Sequence, residues 1–213
     1  MLTFVIYRIF NKHVLVKSLI MKGIKFMGFF DRFFKKIEDV NKGEVAVSEL
    51  ESEFYLETPL DEANNFWVEI AQNLIVNAVK ATDNTVERVF ILLDMGEQPS
   101  FNIFYQIDGH LKMWNELEYP NMTEKIQNEL LPQASDVAVA VNDKFTQVNH
   151  PSISFAELQF EWATGSWFSH IIWADDANVN LGKEEILSKW FTIISEEIKT
   201  IPLDSDSKLS WYP

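Results

Sequence analysis

Residues able to move a proton cluster in one stretch, Glu157, Glu161 and His170, with the amide of Gln159 among them. A histidine beside carboxylates can relay protons, or supply half of a metal site. The other histidines nearest in sequence, His110 and His150, fall in different elements, so no second imidazole joins it. Ser166 and Ser169 stand close to His170, but no Gly-x-Ser-x-Gly elbow surrounds either. Asp176-x-Asn178-x-Asn180 opens like a calcium loop. Such a loop needs Gly at its sixth position and Glu at its twelfth, where Leu181 and Leu187 stand. There is no cysteine, so no thiol nucleophile, disulfide or zinc ribbon. The seven glycines never take a phosphate-loop spacing. The residues therefore point to no catalytic group, no cofactor and no metal, and a small hydrolase is left without a nucleophile.

The element that must position these residues is a β-hairpin over 154–175, SFAELQFEWATGSWFSHIIWAD. Gly165 suits a tight turn. With Thr164 and Gly165 as that turn, Trp162 opposes Trp167, Phe160 opposes Ser169, Leu158 opposes Ile171 and Ala156 opposes Trp173. Gln159 then faces His170. Strand side chains alternate, so those eight residues share one apolar face that must be covered. The other face carries Glu157, Gln159, Glu161, Phe168, His170 and Ile172, and reads as half wet. Burying one large apolar side chain contributes roughly 1.5–3 kcal/mol, so three tryptophans on one face make this hairpin an anchor of the core.

The remaining chain supplies the cover. A helix capped by Asp61 spans 62–81, with Phe66, Ile70, Leu74 and Val79 apolar. A meander follows: strands at 88–93, 101–107 and 110–114, the last two joined by the strong turn pair Asp108-Gly109. There Ile107 meets His110, Tyr105 meets Lys112 and Ile103 meets Trp114. Asn121 or Thr123 opens a second helical region reaching Val148, which Pro132 kinks or restarts. Val137–Val141 should face the sheet. The last helix spans 183–200, with Ile186, Trp190, Ile193, Ile194 and Ile198 at helical spacing. The fold class is thus α+β: one antiparallel sheet of about five strands with helices on one face. The globular domain spans 61–203, followed by a polar tail, 204–213.

Charge is uneven. Residues 1–36 carry a net +7 and the rest −21, together the −14 of the 213-residue chain. A body this acidic argues against nucleic acid as partner, because phosphate contacts need basic patches. It favours a basic protein partner, which it can steer into contact. Residues 1–37 are basic and amphipathic. Arg8, Lys12 and Lys17 break the apolar run below membrane-spanning length. Phe29, Phe30, Phe33 and Phe34 could give a weak membrane-surface contact, the alternative function being a peripheral adaptor. Residues 1–26 read as an extension ahead of a natural start at Met27. Residues 38–60 read as an acidic linker. Trp114 lies beside Glu116, Glu118 and Tyr119, an acidic-aromatic composition suited to a protein interface.

The order of elements resembles the YezG-like family of bacterial immunity proteins over roughly Glu62 to Thr200. The resemblance rests on the helix before a strand, the meander turning at Asp108-Gly109, the long acidic helix, and the hairpin FAELQFEWATGSWFSHIIW. The chain departs from that pattern at Thr82–Glu87, which lacks an expected Pro and Trp, and at Pro132. The resemblance implies a non-enzymatic cytoplasmic inhibitor that binds a toxin domain, often a nuclease. Its contact would be expected at Glu116, Glu118, Asp175 and Asp176, at the loop ends of the sheet.

Overall fold

A computed structural model describes residues 58–176, 182–203 and 208–212. The proposed start at Met27, the amphipathic segment with Phe29, Phe30, Phe33 and Phe34, the acidic linker, and Asn178 and Asn180 lie outside the described residues.

Helix α1 (Pro59–Ala81) begins at a capping box: Thr58 is the N-cap, and Asp61 accepts from the Thr58 backbone N–H at 2.9 Å. Asp61, expected to be the cap, is thus its partner at the third helical position, and Pro59 fills the first turn where no N–H is needed. Trp67, Ala71, Leu74 and Ala78 form its buried stripe, while Phe66 and Ile70 are half-buried. Asp83 and Asn84, both at positive φ, turn the chain out of the helix.

Strands β1 (Arg88–Asp94), β2 (Ser100–Ile107), β3 (His110–Met113), β4 (Ile153–Glu161) and β5 (Trp167–Trp173) form one antiparallel sheet in the order β3-β2-β1-β4-β5. The fold class is α+β with a single five-stranded sheet. The turn at Asp108-Gly109 has φ of 52° and 74°, the double positive φ of a two-residue hairpin. It sets Ile107 against His110 and Tyr105 against Lys112, as the sequence predicts, but β3 stops at Met113, so Trp114 does not pair with Ile103.

Between β3 and β4, α2 (Pro120–Lys125) runs into a π turn, and a 3-10 turn carries Pro132 in its first turn. Helix α3 (Ala134–Gln147) then starts afresh. Pro132 restarts the helix as its missing N–H requires. Within Val137–Val141, Ala138 and Val141 are buried but Val139 is 59% exposed, so the segment presents one face to the core and not all of itself.

The hairpin differs from expectation in register. Phe160 pairs with Trp167, Leu158 with Ser169, Ala156 with Ile171, and Glu157, not Gln159, with His170. A two-residue turn of the kind made by Asp108-Gly109 would put Thr164 at positive φ, which a β-branched residue resists. Gly165 alone in this loop takes it, with φ of 71°. The loop therefore lengthens to Trp162–Gly165, closed by Glu161 N–H donating to Ser166 O at 2.9 Å. The slide preserves the two faces, because pairing moves by an even step.

The helices also divide differently. Val89, Ile91, Tyr105, Leu158 and Phe160 point to the side of α1, where Trp67 Nε1 donates to Ser169 Oγ at 3.2 Å and Tyr105 OH reaches Ala78 O. Phe90, Leu92, Phe104 and Phe155 point the other way. There they pack with Ile186, Leu187, Trp190 and Ile194 of α4 (Lys183–Glu197). Helices thus lie on both faces rather than one. Phe90 and Phe104 stack at 4.7 Å, and Trp190 meets both edge-on at 6.0 and 5.0 Å. The described end of the chain is also not merely polar: Leu209 and Tyr212 are buried in this second core.

Candidate functional site

On the mixed face of the hairpin the β4 side chains are sealed, while Phe168, His170 and Ile172 of β5 stay half-buried. Glu157 is 0% exposed, Gln159 4% and Glu161 5%. β4 lies between β1 and β5, and α4 with the segment 208–212 covers that face. Each polar group there has a partner, as burial demands. Arg88 donates to Glu161 at 2.8 Å, to Gln106 at 3.0 Å and to the Pro202 carbonyl at 2.9 Å. Gln159 binds the Leu209 backbone at both N–H and C=O. Glu157 accepts from Tyr212 N–H at 3.0 Å and pairs with His170 Nδ1 at 2.8 Å.

The Glu157–His170 pair is the arrangement with most acid–base character. Burial pushes the Glu157 carboxyl above the ordinary carboxylate range, against the opposing pull of His170 and the Tyr212 N–H. The His170 ring stacks on Trp211 at 5.5 Å. Ser169, the nearest hydroxyl in sequence, points to the opposite face, where it accepts from Trp67. Ser166 directly follows the hairpin loop, where its N–H donates to Thr164 Oγ1. Hence neither serine forms a nucleophile–base couple with His170 on its face. Among the described residues, one depression of about 340 Å³ is bounded by Asp83, Asn121, Glu124, Lys125, Asn128 and Glu129, and a second of about 10 Å³ touches Arg88, Gln159 and Phe168. Neither includes His170. The tryptophans are dispersed: Trp67 and Trp190 are buried on opposite faces, Trp162 is 38% exposed at the hairpin loop, and Trp173 packs on Phe145 and His150.

The four acidic residues expected to meet a partner lie at one end of the sheet. β1, β3 and β5 run in the same direction through the antiparallel order, so Asp94, Glu116 and Asp175 follow strand ends on the same side. The flanking strands are four spacings of about 4.8 Å apart, roughly 19 Å. Glu116, Glu118, Asp175 and Asp176 are all exposed. Two of them also serve the backbone: Glu116 accepts from Met113 N–H and Asp176 from Trp173 N–H, both at 2.9 Å. Glu118 pairs with Lys112 at 2.7 Å, a hydrogen bond that holds its carboxyl below the usual range. Asp94 and Glu97, in and after β1, stand between the two edges, a contribution that charge spacing along the chain does not reveal. Among the described residues no group of three or more histidine, aspartate or glutamate side chains could hold a metal ion. No helix among them is long and apolar enough to cross a membrane. No protein-family model matches this sequence, and no curated protein matches it.

Proposed function

We propose that the chain is a non-enzymatic immunity-type protein that binds and neutralises a basic toxin domain, a nuclease being the fitting class. The observation that carries this reading is the gathering of exposed carboxylates at the sheet end where β1, β3 and β5 finish. A nuclease cleft must be basic to hold phosphate, and an acidic surface some 19 Å across can cover it by charge complementarity (strand spacing about 4.8 Å). The same charge steers encounter, so association is fast at low salt and slows as salt rises. Tyr119, 62% exposed beside Glu118, supplies an aromatic anchor at one edge. The sealing of Glu157, and the turning of Ser169 to the face opposite His170, favour binding over hydrolysis.

The test is co-purification of basic proteins encoded beside this chain, at low and at high salt. Salt-sensitive capture of a basic toxin domain, with loss of its activity in the complex, is the expected result. Absence of any basic partner at low salt would overturn the reading.

A further inference from the structure

β5 is an edge of the sheet, and its outer side is open main chain. In an antiparallel ladder alternate residues turn both N–H and C=O to the same side. Glu161 N–H donates to Ser166 O and Ala174 N–H to Ser152 O, both at 2.9 Å, so Phe168, His170 and Ile172 face β4. Trp167, Ser169, Ile171 and Trp173 turn theirs outward. Trp173 N–H meets Asp176 Oδ2 there at 2.9 Å. Among the described residues no group pairs with the main chain of Trp167, Ser169 or Ile171. Chains that stay single blunt such edges with short strands, lysine or proline. The opposite edge is blunted in this way: β3 has four residues, Lys112 among them. β5 has seven, WFSHIIW, with no lysine, carboxylate, proline or glycine. Every one of them is half-buried, whereas all of β4 is buried.

We propose that β5 pairs antiparallel with β5 of a second copy of this chain, about a two-fold axis at Ser169. The open groups recur at every second residue, so this register joins the two Ser169 main chains and sets Trp167 of each copy against Ile171 of the other. An aromatic opposite a β-branched residue is a favoured cross-strand pair, and each copy offers the same patch, as a two-fold contact requires. Charge also fits a second copy. Each chain carries −14, yet the only ionisable side chain on the seam is the imidazole of His170. Antiparallel pairing sets Asp175 and Asp176 beside the uncharged hairpin loop, Trp162–Gly165, of the other copy, so the two acidic pairs stand apart. The strand runs about 23 Å, and a side-chain layer of about 10 Å on each face makes the seam roughly 450 Å² a copy. That is the low end of specific interfaces and fits a reversible dimer in the micromolar range. The seam is separate from the acidic end of the sheet and does not rest on the function proposed there.

The test is sedimentation equilibrium of the full chain. A monomer–dimer equilibrium is expected, tightening at least threefold from about 0.1 to 1 M salt, because the screening length falls from about 10 to 3 Å and the like-charged bodies repel less. A basic partner at the acidic end has the reverse salt dependence. Ser169→Pro removes the N–H at the two-fold axis without breaking a bond to β4, and should weaken the dimer at least tenfold. Ser169→Ala loses only the hydroxyl that accepts from Trp67, and should dimerise like the native chain. A chain still monomeric at millimolar concentration overturns the proposal, as does a Ser169→Pro variant that dimerises like Ser169→Ala. Should Ser169→Pro not fold, hydrogen exchange of the native chain below and above the dissociation constant decides. The amides of Trp167, Ser169 and Ile171 must gain protection at least tenfold with concentration, while those of Phe168, His170 and Ile172 stay constant. Exchange at the outward amides that ignores concentration, fast or slow, overturns the second copy as occupant.

Discussion

Arg88 and Glu161, on neighbouring strands, form an ion pair buried on both sides: Arg88 is 3% exposed, Glu161 5%, and nitrogen and oxygen stand 2.7 Å apart. Arg88 also reaches Gln106 on the strand at its other side and the Pro202 carbonyl. One guanidinium thus ties β1, β2, β4 and the residues after α4. Truncating one partner of such a pair leaves a buried charge without its counter-ion, which costs roughly 3–5 kcal/mol. Arg88→Met is expected to lose that much in urea unfolding. Arg88→Met with Glu161→Met should recover most of it, since apolar pairs of similar volume replace buried ion pairs at little cost. Equal loss in the single and double variants would refute this.

Glu157 gives a pH prediction. Burial raises its carboxyl above the ordinary carboxylate value, so the folded chain holds that proton more tightly than the unfolded one. Its contribution to stability is present below the unfolded value and is lost as pH rises through the folded one. Glu157→Gln cannot ionise and retains an acceptor for Tyr212 N–H. Melting temperatures of the variant minus the native chain should therefore climb from pH 4.5 toward neutrality and then level. A flat difference across that range would show that the carboxyl is not raised.

Gly109 isolates a backbone term. Its φ is 74°, and a Cβ added there would meet nothing within 4 Å. Gly109→Ala is expected to cost about 1–2 kcal/mol from left-handed strain alone. Chemical denaturation should show this with an unchanged m-value, because the surface exposed on unfolding is the same. A change below the error of the measurement would mean that the turn relaxes.

Trp190 tests the second core. It is fully buried against Phe90 and Phe104 and donates to the Ser210 carbonyl. Trp190→Ala should cost roughly 3–5 kcal/mol, and Trp190→Phe less. In both variants the amides of residues 209–212 should lose protection in hydrogen exchange beyond the loss in β1. Uniform loss throughout would argue against a specific tie to Ser210.

Charge reversal tests the acidic end. Asp175→Lys is the cleanest variant, since Glu116 and Asp176 also cap backbone N–H groups and Glu118 is tied to Lys112. Association with a basic partner should slow about tenfold at low salt and change little at high salt, because screening removes the steering term. Lys112→Met, which releases Glu118, should act in the opposite direction. Salt-independent effects would place the contact elsewhere.

Local chemistry made much of this fold legible in the sequence. Asp108-Gly109 fixes its turn because both residues tolerate positive φ, and the pairing of Ile107 with His110 follows. Pro132 restarts a helix because it lacks an N–H, and the spacing of Ile186, Trp190 and Ile194 marks the inner stripe of α4. Period-two alternation also sorted the hairpin into its two faces. What covers each face is a long-range matter. Glu157, Gln159 and Glu161 look wet along the strand, yet α4 and residues 208–212 arrive from some 25 to 55 positions later and seal them. A polar residue can be buried only where distant groups complete its hydrogen bonds, and no local pattern announces those partners. The two-residue slide that paired Glu157 with His170 has a local cause in Thr164, but its consequence, a sealed carboxylate beneath Trp211 and Tyr212, exists only in the assembled structure.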